Sequence, residues 1–413
     1  MGISAEEKLR MLDVDHGQKL EYTRLFRAFL VRLSIAVAAS VVIMGAVELF
    51  AYKRYRNAGT DVFELPVKFD LAERGTAADR RYWKEFEDAN HVLYHQYVLW
   101  RRAPYQGEMI SIDQDGVRQT LHTRCDDKTF SIWMFGDSVM WGVGTVDQDT
   151  IPSLIARDYQ QSGKPVCIVN YAEKGWSNTQ EMVGLIQLLK HASRKPDIVL
   201  FYDGGTEAFA AYQNGEADVH SNFNSFSSFL DNWGKTQKAG FSYLQQTNTY
   251  RLLQRVADKV PFHPKPEVNK TPLDVERLSR AVVANYQENI AIIHLLARQF
   301  GFQPIFAWYP NLAVGNKQLT QYEKQVLAAQ YQQFPGLGLM YQAVYQRSSE
   351  IQSPDFHNLA DSVDDQKGTI FIGLSHMKPE GTRIMADRLF DILNGKRPAS
   401  GRASEEASSS HPN

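Results

Sequence analysis

The 413 residues carry 45 Lys and Arg against 47 Asp and Glu, a formal net charge of −2, and no long basic block, so composition gives nucleic acid no footing as a partner. A hydrophobic content of 43% with 22% charged residues is that of a globular chain with a substantial core, and it excludes a wholly disordered one. The length allows one large domain or two small ones.

In chain order, residues 1–27 read as polar and partly helical, within a cytoplasmic segment 1–32. The run from Leu33 to Tyr52 holds a single charge, Glu48, and is long enough to cross roughly 30 Å of hydrocarbon as a helix. Ala51-Tyr52-Lys53 is not a small-residue cleavage site, which argues against a removed signal peptide. Residues 1–32 carry six Lys and Arg and residues 53–72 carry four, so the positive-inside bias favours a cytoplasmic N-terminus. Residues 53–127 read as a linker, a helix and a hairpin. Within them, residues 80–102 look like one aromatic-rich helix, and Ile110 to Arg118 like a hairpin turning at Asp115-Gly116. His91 and His95 stand at i, i+4, but no third ligand accompanies them, so no metal is expected there.

From Phe130 the pattern alternates. Strands are expected at 130–136, 166–170, 197–202, 303–308 and 369–373, and helices at 150–162, 178–192, 276–300, 318–333 and 379–393. Short apolar strands between amphipathic helices imply a three-layer α/β/α (flavodoxin-like) domain, residues 128–395, around a parallel sheet of about five strands. In such sheets chemistry gathers at the carboxyl ends of the strands. Residues 210–274 interrupt the alternation as a long helical, aromatic-rich insertion, a lid or binding surface or else a small subdomain with its own core. The Ser- and Ala-rich tail, residues 396–413, reads as disordered. Cys125, before the first strand, and Cys167, in the second, are either a disulfide or two buried thiols; neighbouring strands would permit the bridge.

Four short blocks fall after the strands: Gly136-Asp137-Ser138, then Gly175, then Gly204-Gly205-Thr206-Glu207, then His376 within Leu374-Ser-His-Met-Lys-Pro-Glu-Gly381. A serine on a strand-to-helix turn with a histidine delivered from the C-terminal end suits a nucleophile and its base. The order of blocks resembles the SGNH (GDSL) hydrolase superfamily over residues 128–395, and the third and fourth blocks look particularly like those of bacterial membrane-anchored members. The resemblance implies Ser138 as nucleophile, His376 as base, and an oxyanion site built from Ser138, Gly175 and Thr206, without cofactor or metal. It further implies O-acyl ester hydrolysis or transfer, by a single-pass protein of a bacterial inner membrane whose main domain is periplasmic or extracellular. The expected partners are an acyl-ester or glycan substrate, such as a cell-surface or exported polysaccharide, and a lipid bilayer met through residues 33–52.

Two positions depart from the family pattern. Thr206 stands where an asparagine is expected, and losing one oxyanion donor costs about 2.7–4 kcal/mol in a measured protease. Gly373 stands three residues before His376, where the family keeps its acid, and neutralising such an acid costs a serine protease about 10⁴ in turnover. A Ser-His dyad then remains, with Asp364, Asp365 and Glu380 as candidate substitutes for the acid. The alternative is a catalytically degenerate domain that binds a glycan or a partner in an envelope assembly.

Overall fold

The computed structural model describes residue 27 and residues 29–50, 77–236 and 274–395. The expectations for the linker up to residue 76, the insertion between 237 and 273 and the tail 396–413 lie outside the described residues, as does most of the N-terminal segment.

Helix α1 (Phe29–Phe50) is 22 residues long, with a mean hydropathy of 2.2 over its most apolar window, so by length and composition it can cross a membrane. It starts a turn earlier than the run expected from the sequence.

The sheet is built from β5 (Phe130–Gly136), β6 (Val166–Asn170), β7 (Ile198–Asp203), β8 (Gln303–Trp308) and β9 (Phe356–Asn358). Its order is β6-β5-β7-β8-β9, and every pairing is parallel. Alternate residues of each strand serve opposite faces, because the strand repeat is two. On one face Ile132, Met134, Leu200 and Tyr202 meet Leu154 and Ile155 of α4 (Ile151–Gln161) and Met385 and Leu389 of α11 (Pro379–Leu393). On the other, Trp133, Phe135, Val199, Phe201 and Phe306 meet Leu185 of α5 (Asn178–His191), Val282, Tyr286 and Ile293 of α8 (Val275–Phe300), and Val344 of α10 (Leu337–Gln346). Phe135, Phe201 and Phe306 stack across three neighbouring strands with centroids 5.3 Å apart at each step. The result is the three-layer α/β/α fold expected from the sequence.

Upstream, α2 (Ala77–Ala89) contributes Tyr82, Phe86 and Ala89 to the first of these two cores, beside Ile132 and Met134. The chain then departs from the single helix expected over 80–102. It forms an antiparallel hairpin of β1 (Val92–His95) and β2 (Leu99–Arg102). Tyr, Trp and Val suit strand as well as helix, and burial of alternate residues Val98 and Trp100 against Trp176 decides for the strand. Two short strands, β3 (Tyr105–Gln106) and β4 (Ser111–Ile112), complete the N-terminal part, and the expected turn is present with Gly116 at φ +76°. His91 and His95 therefore do not share a helical face. Among the described residues no group of three His, Cys, Asp or Glu side chains suits a metal ion. Cys125 and Cys167 are joined as a disulfide, closing a separation of 42 residues.

A second departure concerns residues 369–373, which form no strand of the sheet; β9 takes the fifth place. Their backbone groups are claimed outside the sheet, by Glu323 and within the segment itself. Ile370 and Phe371 N–H donate to the Glu323 carboxylate at 2.9 and 3.2 Å, Ile372 N–H to the His376 carbonyl at 2.9 Å, and Lys378 N–H to the Ile370 carbonyl at 2.8 Å. The segment is a loop closed on itself, with His376 at its tip.

Candidate active site

Strand β5 ends at Gly136, whose φ is +150°; a Cβ there would lie 2.7 Å from the Tyr202 carbonyl and from Met140 Cβ. Only a residue without a side chain lets the chain turn so close to β7. Asp137 follows as the N-cap of the short helix α3 (Ser138–Trp141), accepting from Val139 N–H at 2.8 Å. Ser138, at the first position of α3, is partly exposed, and its Oγ lies 2.8 Å from His376 Nε2. Two residues 238 positions apart are thus joined by a direct hydrogen bond.

His376 keeps some accessible surface, yet burial of its ring, with the nearby Lys174 ammonium adding to it, pushes the imidazole down to about 4. At neutral pH it is uncharged, and with the hydrogen on Nδ1 its Nε2 accepts from Ser138. Asp364 accepts from Asn316 N–H at 2.9 Å, Asp365 from the adjacent Gln366, and Glu380 is exposed on the first turn of α11. None of the three hydrogen-bonds His376, and among the described residues Lys174 is the one charged group acting on it.

Gly175 lies in the loop after β6 with φ +76°. This loop is fastened on three sides. Glu173 N–H donates to the Gly136 carbonyl at 3.0 Å, tying it to the turn that carries Ser138. The β1–β2 hairpin grips it through Trp100 Nε1, which donates to the Lys174 carbonyl at 3.1 Å, through Trp176 Nε1, which donates to the Trp100 carbonyl at 3.1 Å, and through a buried Arg102–Glu173 ion pair at 3.2 Å. Ser221 Oγ donates to the Gly175 carbonyl at 3.1 Å from the segment entering α7 (Phe223–Thr236). Among the described residues no protein acceptor takes the backbone N–H of Ser138 or of Gly175.

Thr206 sits on the first turn of α6 (Gly205–Asn214), and its hydroxyl donates to Asp137 Oδ2 at 2.5 Å. Tyr309 OH donates to the same oxygen. The Thr206 hydrogen is therefore engaged below the serine turn, and the hydroxyl serves an oxyanion only by rotating away. Burial raises the Asp137 carboxyl despite these donors. Beneath it lie three more buried acids. Glu207, accepting from Asn178 and Gly204 N–H at 2.9 Å each, is raised to about 7 by burial and then by Asp137. Asp203, accepting from Asn178 Nδ2 and Tyr286 OH, and Glu181 are raised well above the carboxylate range, again by burial first.

Three supporting residues escaped the sequence reading. Arg118, fully buried, donates to Asp147 at 2.9 Å, to the Trp141 and Gly142 carbonyls at 3.0 and 2.7 Å, and to the Thr145 carbonyl at 2.7 Å, clamping the chain that leaves α3. Lys174 is 4% exposed, with its ammonium on Asn90 Oδ1 and 4.1 Å from the Phe86 ring centroid. Glu323 holds the His376 loop and pairs with Lys317 at 2.8 Å. A charge inside an apolar, strand-flanking stretch was the available signal for Lys174; nothing local marks the other two.

No family model and no curated protein matches the chain. Solved structures similar to it include a lipase/acylhydrolase from Enterococcus faecalis, at 13% identity and TM-score 0.36, covering 65% of this chain and 96% of that one. A member of the lipolytic protein G-D-S-L family from Veillonella parvula is 14% identical with TM-score 0.32, covering 64% and 97%. The acetyl xylan esterase AlAXEase is 10% identical with TM-score 0.34, covering 64% and 100%.

Proposed function

We propose that the chain is an SGNH-type serine O-acyl ester hydrolase or acyltransferase, with Ser138 and His376 as its catalytic pair. The observation that carries the reading is the 2.8 Å contact between Ser138 Oγ and a neutral His376 Nε2 at the carboxyl end of β5. Ser138 Oγ attacks the ester carbonyl while its proton passes to Nε2. The carbonyl π electrons move to oxygen, and the uncommitted N–H groups of Ser138 and Gly175 are the donors that receive it. The tetrahedral centre then collapses, the C–O bond to the leaving alkoxide breaks, and His376 returns the proton to that oxygen. Water or an acceptor hydroxyl then gives its proton to His376 Nε2 and bonds to the acyl carbon, and the Ser138 Oγ–acyl bond breaks as His376 returns that proton to Oγ.

Helix α1 anchors the protein in a bilayer, with the residues after it outside the cytoplasm. Trp100, His220, Phe223 and Phe226 form an aromatic group beside the Gly175 loop, and Tyr94 and Tyr97 of the hairpin are 77% and 62% exposed. Aromatic faces of this kind suit the apolar faces of sugar rings, which supports a polysaccharide ester as substrate. A fluorophosphonate probe is the direct test: Ser138 should be labelled and Ser138→Ala should not, at an unchanged melting temperature. An unlabelled wild-type protein would leave a binding domain in place of an enzyme.

A further inference from the structure

The place where the family keeps its acid faces His376 and is otherwise clear of other side chains. A Cβ on Gly373 would lie 3.3 Å from His376 Nδ1, and apart from its chain neighbours its closest contacts within 4 Å are all atoms of the His376 side chain. Gly373 is not among the glycines with positive φ, so the backbone there does not demand glycine. Nδ1, the nitrogen turned away from Ser138, has no hydrogen-bond acceptor among the described residues. When the serine proton reaches Nε2, the ring becomes a cation whose charged neighbour is another cation, Lys174. An imidazolium with an unpaired donor and an ammonium nearby calls for an anion with an acceptor oxygen.

We infer that a carboxylate from outside the chain, borne by an acidic ester substrate or supplied as a free anion, sits in front of Gly373 and accepts the Nδ1 hydrogen of His376. The inference rests on the proposed function and narrows its substrate class to acyl esters of acid-bearing molecules, such as uronate-containing glycans. The carboxylate takes no proton. It orients the ring and balances its charge while Ser138 Oγ bonds to the acyl carbon and the serine proton moves to Nε2.

The test uses the full chain in detergent, at fixed pH and ionic strength, with p-nitrophenyl acetate as a neutral ester. Replacing chloride by formate should raise both hydrolysis and fluorophosphonate labelling of Ser138 saturably, by about tenfold or more, a fraction of the roughly 10⁴ that an in-place acid is worth. Gly373→Asp, which brings its own carboxylate, should lose the formate response. A second arm compares acetylated oligouronates with acetylated neutral xylo-oligosaccharides. Preference for the uronates, with no further gain from formate, identifies the substrate as the bearer; a formate response without that preference identifies a free anion. A Ser138 that labels equally well in chloride and formate, with no preference for uronates, overturns the inference and leaves the esterase reading standing. A Ser138 that labels under neither condition overturns both.

Discussion

Replacing Arg118 by Met should be among the most damaging single changes in the domain, although the residue touches neither Ser138 nor His376. The guanidinium is fully buried, stacks 4.3 Å over the Trp141 ring, and supplies hydrogen bonds to one carboxylate and three carbonyls. Removing one partner of a buried pair typically costs about 3–5 kcal/mol. Two effects pull the figure in opposite directions. Burial already raises the Asp147 carboxyl against the pull of Arg118, so without Arg118 it takes up a proton and sheds part of the penalty. The Trp141, Gly142 and Thr145 carbonyls cannot do so, and each unsatisfied buried acceptor costs about 1–3 kcal/mol. A net loss near 4 kcal/mol lowers the melting temperature of a domain this size by about 8–16 °C. Thermal unfolding followed by circular dichroism measures it, and Arg118→Lys, with a charge but no planar fork, should fall in between. A drop equivalent to less than about 1 kcal/mol would refute the clamp. So would a full loss with an unchanged labelling rate at Ser138 below the melting temperature, since relaxing the chain that leaves α3 should disturb the serine turn.

The pH dependence follows from His376. Its imidazole must be neutral to accept the serine proton and is held down to about 4, so labelling of Ser138 should stay level from neutral pH to about 5 and fall through about 4 as the ring protonates; an acid limb near 6.5 would contradict the desolvated site. Cys125→Ser with Cys167→Ser should cost about 4 kcal/mol by the chain-entropy relation for a 42-residue separation, read as a melting shift that reductant reproduces in the parent protein. A C-terminal alkaline phosphatase fusion should be active and a cytoplasm-dependent reporter silent; the opposite pair of results would reverse the orientation taken from the Lys and Arg bias.

Much of the sheet was legible because β5, β6, β7 and β8 are buried along nearly their whole length, which makes them near-continuous apolar runs. The expected limits of β5 and β6 match those observed, and β7 is shifted by one residue. The two misplaced segments share a cause. Residues 92–102 and 369–373 are apolar enough to read as regular elements, but beside their own local pairing each is fixed by groups far away in sequence, Trp176 and Glu173 in one case and Glu323 in the other. Ser138 and His376 could be paired in advance because each sits in a recognisable turn. The hydrogen bond from Thr206 to Asp137 could not, since it depends on how α6 meets the end of β5 across 69 residues of chain.

The hairpin β1–β2 and helix α2 bear on how portable this domain is. They lie upstream of every strand of the parallel sheet, yet they supply Trp100, Arg102 and Asn90 to the Gly175 loop and Tyr82 and Phe86 to the core. A shortened chain beginning at Phe130 would keep the whole sheet and every residue named in the four sequence blocks. It would also strand Glu173 and Lys174 without their buried counterparts and open the Tyr82 hydroxyl's contact with Gly144 N–H, 2.8 Å long in the intact protein. A graft of this domain therefore has to be cut ahead of Ala77, and a splice placed at the first strand would carry Ser138 and His376 without the frame that holds them.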